Sequence, residues 1–336
     1  MKRFDLTMGL RKPKQRWLSH DENYERFWEV RRKILDSKDR KGNRDKYGEV
    51  LQCLPGSEDA CIELLEVVTN FLVKTYPSKF RFRGPMYDYP LVSVIPVLKT
   101  MFGEKRAIEN RKSGELFGLG EWCDMPPMEI VARLCSEDFN ILKKDSEGQH
   151  RLIASATLFP AGWKLKERIG WTVTQLHEKV PSWYPKLSQP VEHYFDRLNE
   201  ENCMERTTYF IQNASPWRTF FSDLDEFLFI QEGKDFLSGV FRNLTPESII
   251  VRHERQTFTR LPKSDTVLFT VNTSLVPLVD LTDEQLDGLA SEICSWPHAT
   301  ARYRGRDLWG EIVVDFCTYR TGIEYTIPDT PLEVSV

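Results

Sequence analysis

The clearest helical pattern in this chain lies in LPGSEDACIELLEVVTNFLVKTYP, residues 54–77. Its apolar side chains recur every three or four positions, which places them on one face of a helix. Those residues are Cys61, Leu64, Leu65, Val68, Phe71 and Leu72. Ser57 is a suitable N-cap, acidic residues follow it in the first turn, and Pro77 is a stop signal. The pattern therefore predicts a helix between Ser57 and Pro77.

A second helix is predicted to begin near residues 126–127, with Ile130 and Leu134 facing inward, and to end before Asp138. Between the two helices, residues 81–122 are rich in Gly and Pro and have no steady period. We predict that this stretch forms an ordered loop with short helices.

An alternation of apolar and polar residues replaces the helical pattern after residue 137. FNILKKDSEGQHRLIASATLF, residues 139–159, predicts a β-hairpin around the turn residues 145–148. Further strands are predicted at residues 206–213, 249–258 and 266–273. Short helices are predicted in GWKLKERIG and TVTQLHEKVP, and a longer one in QPVEHYFDRLNEE. Residues 214–248 resemble an insertion with apolar anchors.

Two strands, several helices and three further strands are an α+β order of elements. This order predicts a five-stranded antiparallel sheet whose helical middle covers one face. That is the layout of a PAS-like pocket, and other α+β folds share the same order of elements. We assign residues 1–125 to an N-terminal helical and loop extension and residues 126–280 to the PAS-like domain, with its insertion near 214–248. Residues 281–336 form a C-terminal helical segment and tail, in which Thr282 and Gln285 make a capping box.

Charge and hydropathy exclude several classes of protein. The 46 Lys and Arg residues against 50 Asp and Glu give a net charge of −4, so the chain lacks a global basic field for nucleic acid. No apolar run approaches the roughly 18 residues that a membrane span needs, and the basic N-terminus has no apolar leader segment. We therefore predict a soluble, cytoplasmic protein without a nucleic-acid partner.

Cysteines and short motifs exclude other kinds of site. The seven cysteines are scattered and contain no C-x-x-C pair, which argues against a zinc site, an iron–sulfur cluster and a disulfide framework. No phosphate-binding G-x-x-x-x-G-K motif occurs, and FGLGEWC has only a G-x-G without the third glycine. Any nucleotide or cluster chemistry must therefore come from another protein.

The strand IIVRHERQTFTRL carries an unusual density of charge. Because side chains alternate along a strand, Arg252, Glu254 and Gln256 leave on one face. His253 and Arg255 leave on the other. Neither face is apolar, so the strand is either a solvated edge or the wall of a polar site.

Eight stretches in order resemble one family along residues 8–311. They are MGLRK, LPGSEDA, SEDFNILKK, SATLFPAGWKLKERIG, LHEKVP, VEHYFDRL, RHERQTFTRLPKSDTVLFTV and RYRGRDLWGE. The family is the haem-dependent oxidative N-demethylase alpha-subunit-like family, and its fungal members look closest.

The resemblance implies a haem b, with its iron, in a PAS-like domain. It implies a monooxygenase that uses molecular oxygen to oxidise the N-methyl group of a secondary amine, or that carries out a related oxidation of a small or secondary-metabolite amine. It also implies a separate electron-donating reductase, in which flavin and iron–sulfur subunits pass on electrons that come ultimately from NADPH. A non-catalytic haem-binding sensor or carrier is the alternative, and a haem-free interaction domain is a third. The chain departs from the family at residues 207–209 and 272–274, so its substrate is expected to differ if those side chains line the pocket.

His177 is the candidate axial ligand of the iron. It ends the short helix TVTQLH and matches the family's His-x-x-Val-Pro block. The alternative is an ordinary histidine at a helix end that satisfies a carbonyl group. His253 is the second candidate. We expect His20, His150 and His298 at the surface and His193 away from the apolar stripe of its helix.

Three arginines, Arg252, Arg255 and Arg260, are candidates for pairing with the haem propionates, because the guanidinium fork matches a carboxylate. Only part of this set can meet one haem, and salt bridges of an edge strand are the alternative. Glu254 and Gln256 are the candidate catalytic residues, for binding a protonated amine or relaying a proton, and structural pairing is their alternative role. Trp163 and Phe159 could stack on the macrocycle or be plain core.

Overall fold

The computed structural model describes residues 8–14, 16–21, 23–84, 107–120, 123–213 and 244–328. Helices and antiparallel strands alternate through these residues, so the α+β prediction is confirmed. Within the described part of the chain, none of the helices has the length and apolar character that crossing a membrane requires.

The N-terminal elements begin with four helices and four short strands. They are α1 Tyr24–Asp36, α2 Tyr47–Val50, β1 Leu51–Cys53, α3 Glu58–Thr75, β2 Phe80–Arg83, β3 Ala107–Asn110, β4 Leu116–Gly118 and α4 Pro127–Leu134. Helices α3 and α4 match the two predicted helices. Ser57 stands at the N-cap position of α3, but its hydroxyl donates to the carbonyl of Leu54 instead of capping the helix.

The central elements follow in the predicted order. They are β5 Asp138–Lys144, β6 His150–Ala156, α5 Leu165–Arg168, α6 Val173–Leu176, a π-helical turn Trp183–Leu187, α7 Ser188–Arg197, β7 Met204–Asn213, a 3₁₀ turn Pro246–Ser248, β8 Ile249–Leu261 and β9 Thr266–Pro277. The predicted hairpin, three later strands and helical middle are all present. Most of the predicted insertion, residues 214–243, lies outside the described residues.

The main sheet has the strand order β1-β6-β5-β9-β8-β7 and is antiparallel throughout. The predicted five strands are contiguous in it, with α5 to α7 inserted between β6 and β7. The prediction of five strands was wrong by one, because β1 pairs with the outer edge of β6. Three residues are too short a strand to establish an alternating pattern in the sequence.

Each face of the main sheet is covered by a different group of helices. On one face, which we call the middle-helix face, Leu142, Leu152, Phe258 and Val267 pack with the residues of α5 to α7, including Leu165, Val173, Val191 and Phe195. On the other face, Phe139, Ile141, Ala154 and Leu268 pack with α1, α3 and α4.

Within residues 81–122, the described positions 81–83, 107–110 and 116–118 lie in strands where the sequence predicts loop and short helices. Strands β2, β3 and β4 make a second antiparallel sheet in which Phe80 pairs with Asn110 and Ile108 with Phe117. That prediction was wrong for these strands, because three or four residues per strand carry little periodicity and the β2–β3 pairing joins distant segments. Residues 85–106 lie outside the described part of the chain.

The C-terminal segment is helical, as expected. It consists of a 3₁₀ turn Leu278–Asp280, α8 Asp283–Ser295, α9 His298–Tyr303 and α10 Arg306–Thr321. The predicted capping box of α8 is present: Thr282 Oγ1 accepts from the Gln285 N–H, and Gln285 Oε1 accepts from the Thr282 N–H. These helices pack on Ile211, Ile249 and Val251 of β7 and β8.

Candidate functional site

His177 is the C-cap residue of α6, a helix set by a local capping box of Thr172 and Gln175. Its Nδ1 lies 2.8 Å from the carbonyl oxygen of Val173, and because a carbonyl can only accept, Nδ1 carries the proton. Nε2 therefore holds the lone pair. In the described part of the chain, Nε2 has no hydrogen-bond partner.

The surroundings of His177 keep its ring neutral and oriented. The imidazole stacks on the indole of Trp183, with 4.3 Å between ring centroids and 11° between planes. Burial lowers the pKa of His177 to about 4, and the positive charges of Arg206 and Arg168 act in the same direction. A neutral imidazole whose Nδ1–H is fixed by a carbonyl and whose Nε2 is free is the arrangement of a metal-ligating histidine. The Val173 bond also fits the role of an ordinary helix-end histidine.

Four polar side chains form a continuous row on the middle-helix face of β7 and β8, which we call the polar row: Arg206, Gln256, Glu254 and Arg252. Arg206 Nε donates to Gln256 Oε1 at 2.6 Å, and Gln256 Nε2 donates to Glu254 Oε2 at 3.0 Å. Arg252 Nε donates to the other carboxylate oxygen of Glu254 at 3.0 Å. Glu254 and Gln256 thus share a face, as the alternation predicted, and they are directly bonded.

Arg252 ends the polar row inside the protein. Its side chain is 0% exposed, and its Nη2 donates to the carbonyl of Phe159 and, at 3.3 Å, to Thr273 Oγ1. The ring of Phe159 is engaged elsewhere: it packs on Phe27 and lies under the guanidinium of Arg31. Phe159 therefore contributes a carbonyl group to this region and not a stacking surface.

The other two candidate arginines are held by protein groups. Arg260 lies on the middle-helix face, but it donates to the carbonyls of Leu198 and Phe195 at the C-terminal end of α7 and pairs with Asp265. These bonds tie the end of strand β8 to the helical middle.

Arg255 leaves on the opposite face of the sheet. It pairs with Glu205 at 3.3 Å and donates to the carbonyl of Trp17 at 2.6 Å. His253 shares that face, near the ring of Tyr209. A group bound against His177 on the middle-helix face therefore cannot also contact Arg255 or His253.

Trp163 lies beside the apolar core under the helical middle. It is partly buried against that core, and the guanidinium of Arg168 lies 5.4 Å from the centroid of its ring. It is on the same side of the sheet as His177.

The remaining histidines differ in part from expectation. The prediction of a surface position was wrong for His150, which is 2% exposed, packs on the Phe195 ring and bonds the carboxylate of Glu192 at 2.5 Å. His20 is partly buried and stacks on Tyr24. His193 and His298 are exposed, as predicted.

Arg206 is the residue of this region that sequence reasoning missed. The sequence pattern assigns Arg206 only to a strand, and its position opposite Gln256 depends on the pairing of β7 with β8. The strand alternation alone could have suggested that Arg206 and Thr208 share a face, but not which face.

Among the residues that the structure describes, no group of three His, Cys, Asp or Glu side chains could hold a metal ion. A haem iron does not need such a group, because the porphyrin supplies four ligands and the protein one axial ligand. A single imidazole with a free Nε2 meets that requirement.

The fold and the site define an α+β protein in which His177, in the helical middle, has a neutral imidazole close enough to Arg206 of the polar row for that charge to affect it. The chain belongs to the family described as haem-dependent oxidative N-demethylase, alpha subunit-like, whose model matches residues 9–314. A search of curated proteins found no match.

Proposed function

We propose that this chain is a haem-dependent monooxygenase that oxidises a small amine, by N-demethylation or a related oxidation. Membership of a haem-dependent oxidative family supports the class of reaction. The observation that carries the proposal is His177, whose Nδ1 is bonded to a carbonyl and whose Nε2 is free for iron. We assign haem b to a PAS-like unit within residues 126–280, between the helical middle and the sheet.

His177 has two properties that suit an axial ligand. Because its pKa is about 4, the ring is neutral and able to bind metal at any pH above about 5. The bond from Nδ1 to Val173 and the stack on Trp183 hold the ring in one orientation, and such outer contacts make an imidazole a better ligand. Haem bound there supplies the site for oxygen and for the electrons that a separate reductase delivers.

Glu254 and Gln256 are assigned to proton handling and to positioning beside the cofactor. Glu254 is 6% exposed, and its carboxylate is shared between Arg252 and Gln256. Because Arg252 already neutralises Glu254, this carboxylate is a weak attractor for a protonated amine. Its lone pairs can still accept a proton or orient the side chain of Gln256.

Reconstitution with hemin tests the proposal. The wild-type protein is expected to develop a Soret band, and His177→Ala to lose or strongly shift it because the axial ligand is removed. A cooperative melting transition of the apo-protein checks that His177→Ala is folded, at a melting temperature lowered by the loss of the contacts with Trp183 and Val173. His193→Ala is the matched control, because His193 is exposed on the neighbouring helix α7. An unchanged spectrum in His177→Ala with a lost band in His253→Ala would assign the ligand to the other face.

Turnover separates the enzyme from its alternatives. With a reductant, oxygen and dimethylamine, N-demethylation consumes one oxygen molecule and two electrons for each formaldehyde released. Stoichiometric oxygen binding without formaldehyde from any N-methyl amine supports a sensor or carrier. A protein that stays colourless with added hemin contradicts haem binding altogether.

A further inference from the structure

Among the described residues, Arg206 lacks the acidic partner that Arg31, Arg252 and Arg255 have. Arg31 pairs with Asp138, Arg252 with Glu254 and Arg255 with Glu205, each within 3.3 Å. In the described residues, Arg206 makes one hydrogen bond, from Nε to Gln256, and no ion pair. Its two terminal nitrogens therefore remain available as donors.

The environment of Arg206 is poorly solvated and carries excess positive charge. The side chain is partly buried, with its guanidinium 5.9 Å from the centroid of the Phe258 ring. Desolvation lowers the pKa of Arg206 and the positive charge of Arg304 acts in the same direction, and together they outweigh the opposing attraction of Glu254. The polar row holds two guanidinium groups and a single carboxylate, so it has one positive charge in excess. Such a place favours an anionic ligand over a cationic one.

The contacts of Arg206 also orient its guanidinium before a ligand arrives. Gln256 accepts from Nε and is itself bonded to Glu254. A planar fork that is held by Nε and has both terminal nitrogens free can bind a carboxylate through two parallel hydrogen bonds. The arginines that the sequence predicts for this role, Arg252, Arg255 and Arg260, already donate to protein carbonyls and carboxylates.

We propose that Arg206 binds a carboxylate beside His177. The inference rests on the proposed haem-dependent function, and in that setting the carboxylate has two possible sources. One is a propionate of the haem, and the other is the carboxylate of an N-methylated amino acid substrate.

A comparison of hemin with hemin dimethyl ester tests whether Arg206 binds a haem propionate. The ester has the same macrocycle without free carboxylates, so only a propionate contact makes the two ligands differ. If Arg206 binds a propionate, Arg206→Gln should weaken hemin binding by about 10- to 100-fold, the usual worth of a charge-assisted bond, and leave the ester unaffected. Glutamine keeps a donor for Gln256, which limits structural damage.

A comparison of N-methylglycine with dimethylamine tests whether Arg206 binds the carboxylate of a substrate. Both are secondary N-methyl amines, but only N-methylglycine has a carboxylate. If Arg206 binds the substrate, Arg206→Gln should weaken N-methylglycine binding by about 10- to 100-fold, measured by the shift of the Soret band, and change neither dimethylamine binding nor hemin retention. Arg206→Lys keeps the charge without the fork and should fall between the wild type and Arg206→Gln in the affected arm.

Arg151→Gln is the control, because Arg151 pairs with Asp145 at the edge of the β5–β6 hairpin. Melting of the apo-proteins checks that each variant is folded. If the wild type binds hemin and Arg206→Gln binds hemin, its ester and both amines as the wild type does, the inference is wrong and the proposed function stands. If the wild type takes up no hemin, the proposed function fails and this inference fails with it.

Discussion

Glu137 is a buried carboxyl group whose protonation should change the stability of the whole protein. It follows α4 directly before β5 and is 1% exposed. Its Oε1 accepts from the Ser19 N–H at 2.6 Å and from Asn272 Nδ2 at 3.2 Å, whereas its Oε2 is buried and has no hydrogen-bond partner among the residues that the structure describes. Burial raises its pKa from 4.5 to about 7, although the positive charges of Arg255 and Arg31 act in the opposite direction.

The raised pKa determines the sign of the effect. The folded state holds this proton more tightly than the unfolded chain, so the stabilisation is fully present below pH 4.5 and is lost as the pH rises through about 7. The two pKa values differ by about 2.5, and since each pKa unit corresponds to about 1.36 kcal/mol, the loss amounts to about 3 kcal/mol. The substitution Glu137→Gln removes the titration and keeps the size and an acceptor oxygen for the Ser19 N–H.

Urea unfolding followed by tryptophan fluorescence measures the effect. At pH 5, Glu137→Gln and the wild type should differ by less than about 1 kcal/mol in free energy of unfolding, because the wild-type carboxyl is protonated when folded. At pH 8.5, Glu137→Gln should be more stable by about 3 kcal/mol. The control is Glu311→Gln, which makes the same chemical change at an exposed position on α10.

The reasoning is refuted if the difference between Glu137→Gln and the wild type is the same at the two pH values. That result would mean that the folded protein supplies Glu137 with a partner or with water, so that its carboxylate is not desolvated. A wild-type protein that gains stability relative to Glu137→Gln as the pH rises would reverse the sign and would point to a depressed pKa.

Two further predictions concern the fold. Arg31→Met should lower the free energy of unfolding by about 3 kcal/mol or more, because it leaves the buried carboxylate of Asp138 without its partner at 2.7 Å. Urea unfolding measures this change. A loss below about 1 kcal/mol would contradict a stabilising role of the Arg31–Asp138 ion pair. Cys53 and Cys61 have sulfur atoms 4.0 Å apart, so hydrogen peroxide should oxidise them to a disulfide while it is reduced to water. Peptide mapping should find a cross-link that Cys53→Ser abolishes, and absence of a 53–61 cross-link in the oxidised wild type would contradict the proximity.

Local patterns in the sequence determined much of the architecture. Alternation along β8 assigned Glu254 and Gln256 to one face and His253 and Arg255 to the other, and the structure has both pairs as assigned. The period of a strand is two residues, so the face of each side chain relative to its neighbours needs no knowledge of the rest of the fold. The capping box of α8 was equally readable, because its two reciprocal hydrogen bonds join residues three positions apart.

Burial was less predictable from the sequence. His150 stands next to a turn, which suggested exposure, yet its ring is enclosed by Phe195 and Glu192 from a helix about 40 residues later. Strand β1 was missed because its three residues gain their order from pairing with β6, about 100 residues away.

Only the tertiary structure decided which arginines are already hydrogen-bonded to carbonyl or carboxylate groups of the protein. Arg252, Arg255 and Arg260 were equivalent candidates in the sequence, and each proved to be bonded to carbonyl or carboxylate groups from other segments. Arg206 had no distinguishing signal, since its single bond to Gln256 joins positions 50 residues apart. A guanidinium is neutralised by whatever lies within a few ångströms in space, and that set of neighbours is created when distant segments meet, not by the local periodicity of the chain.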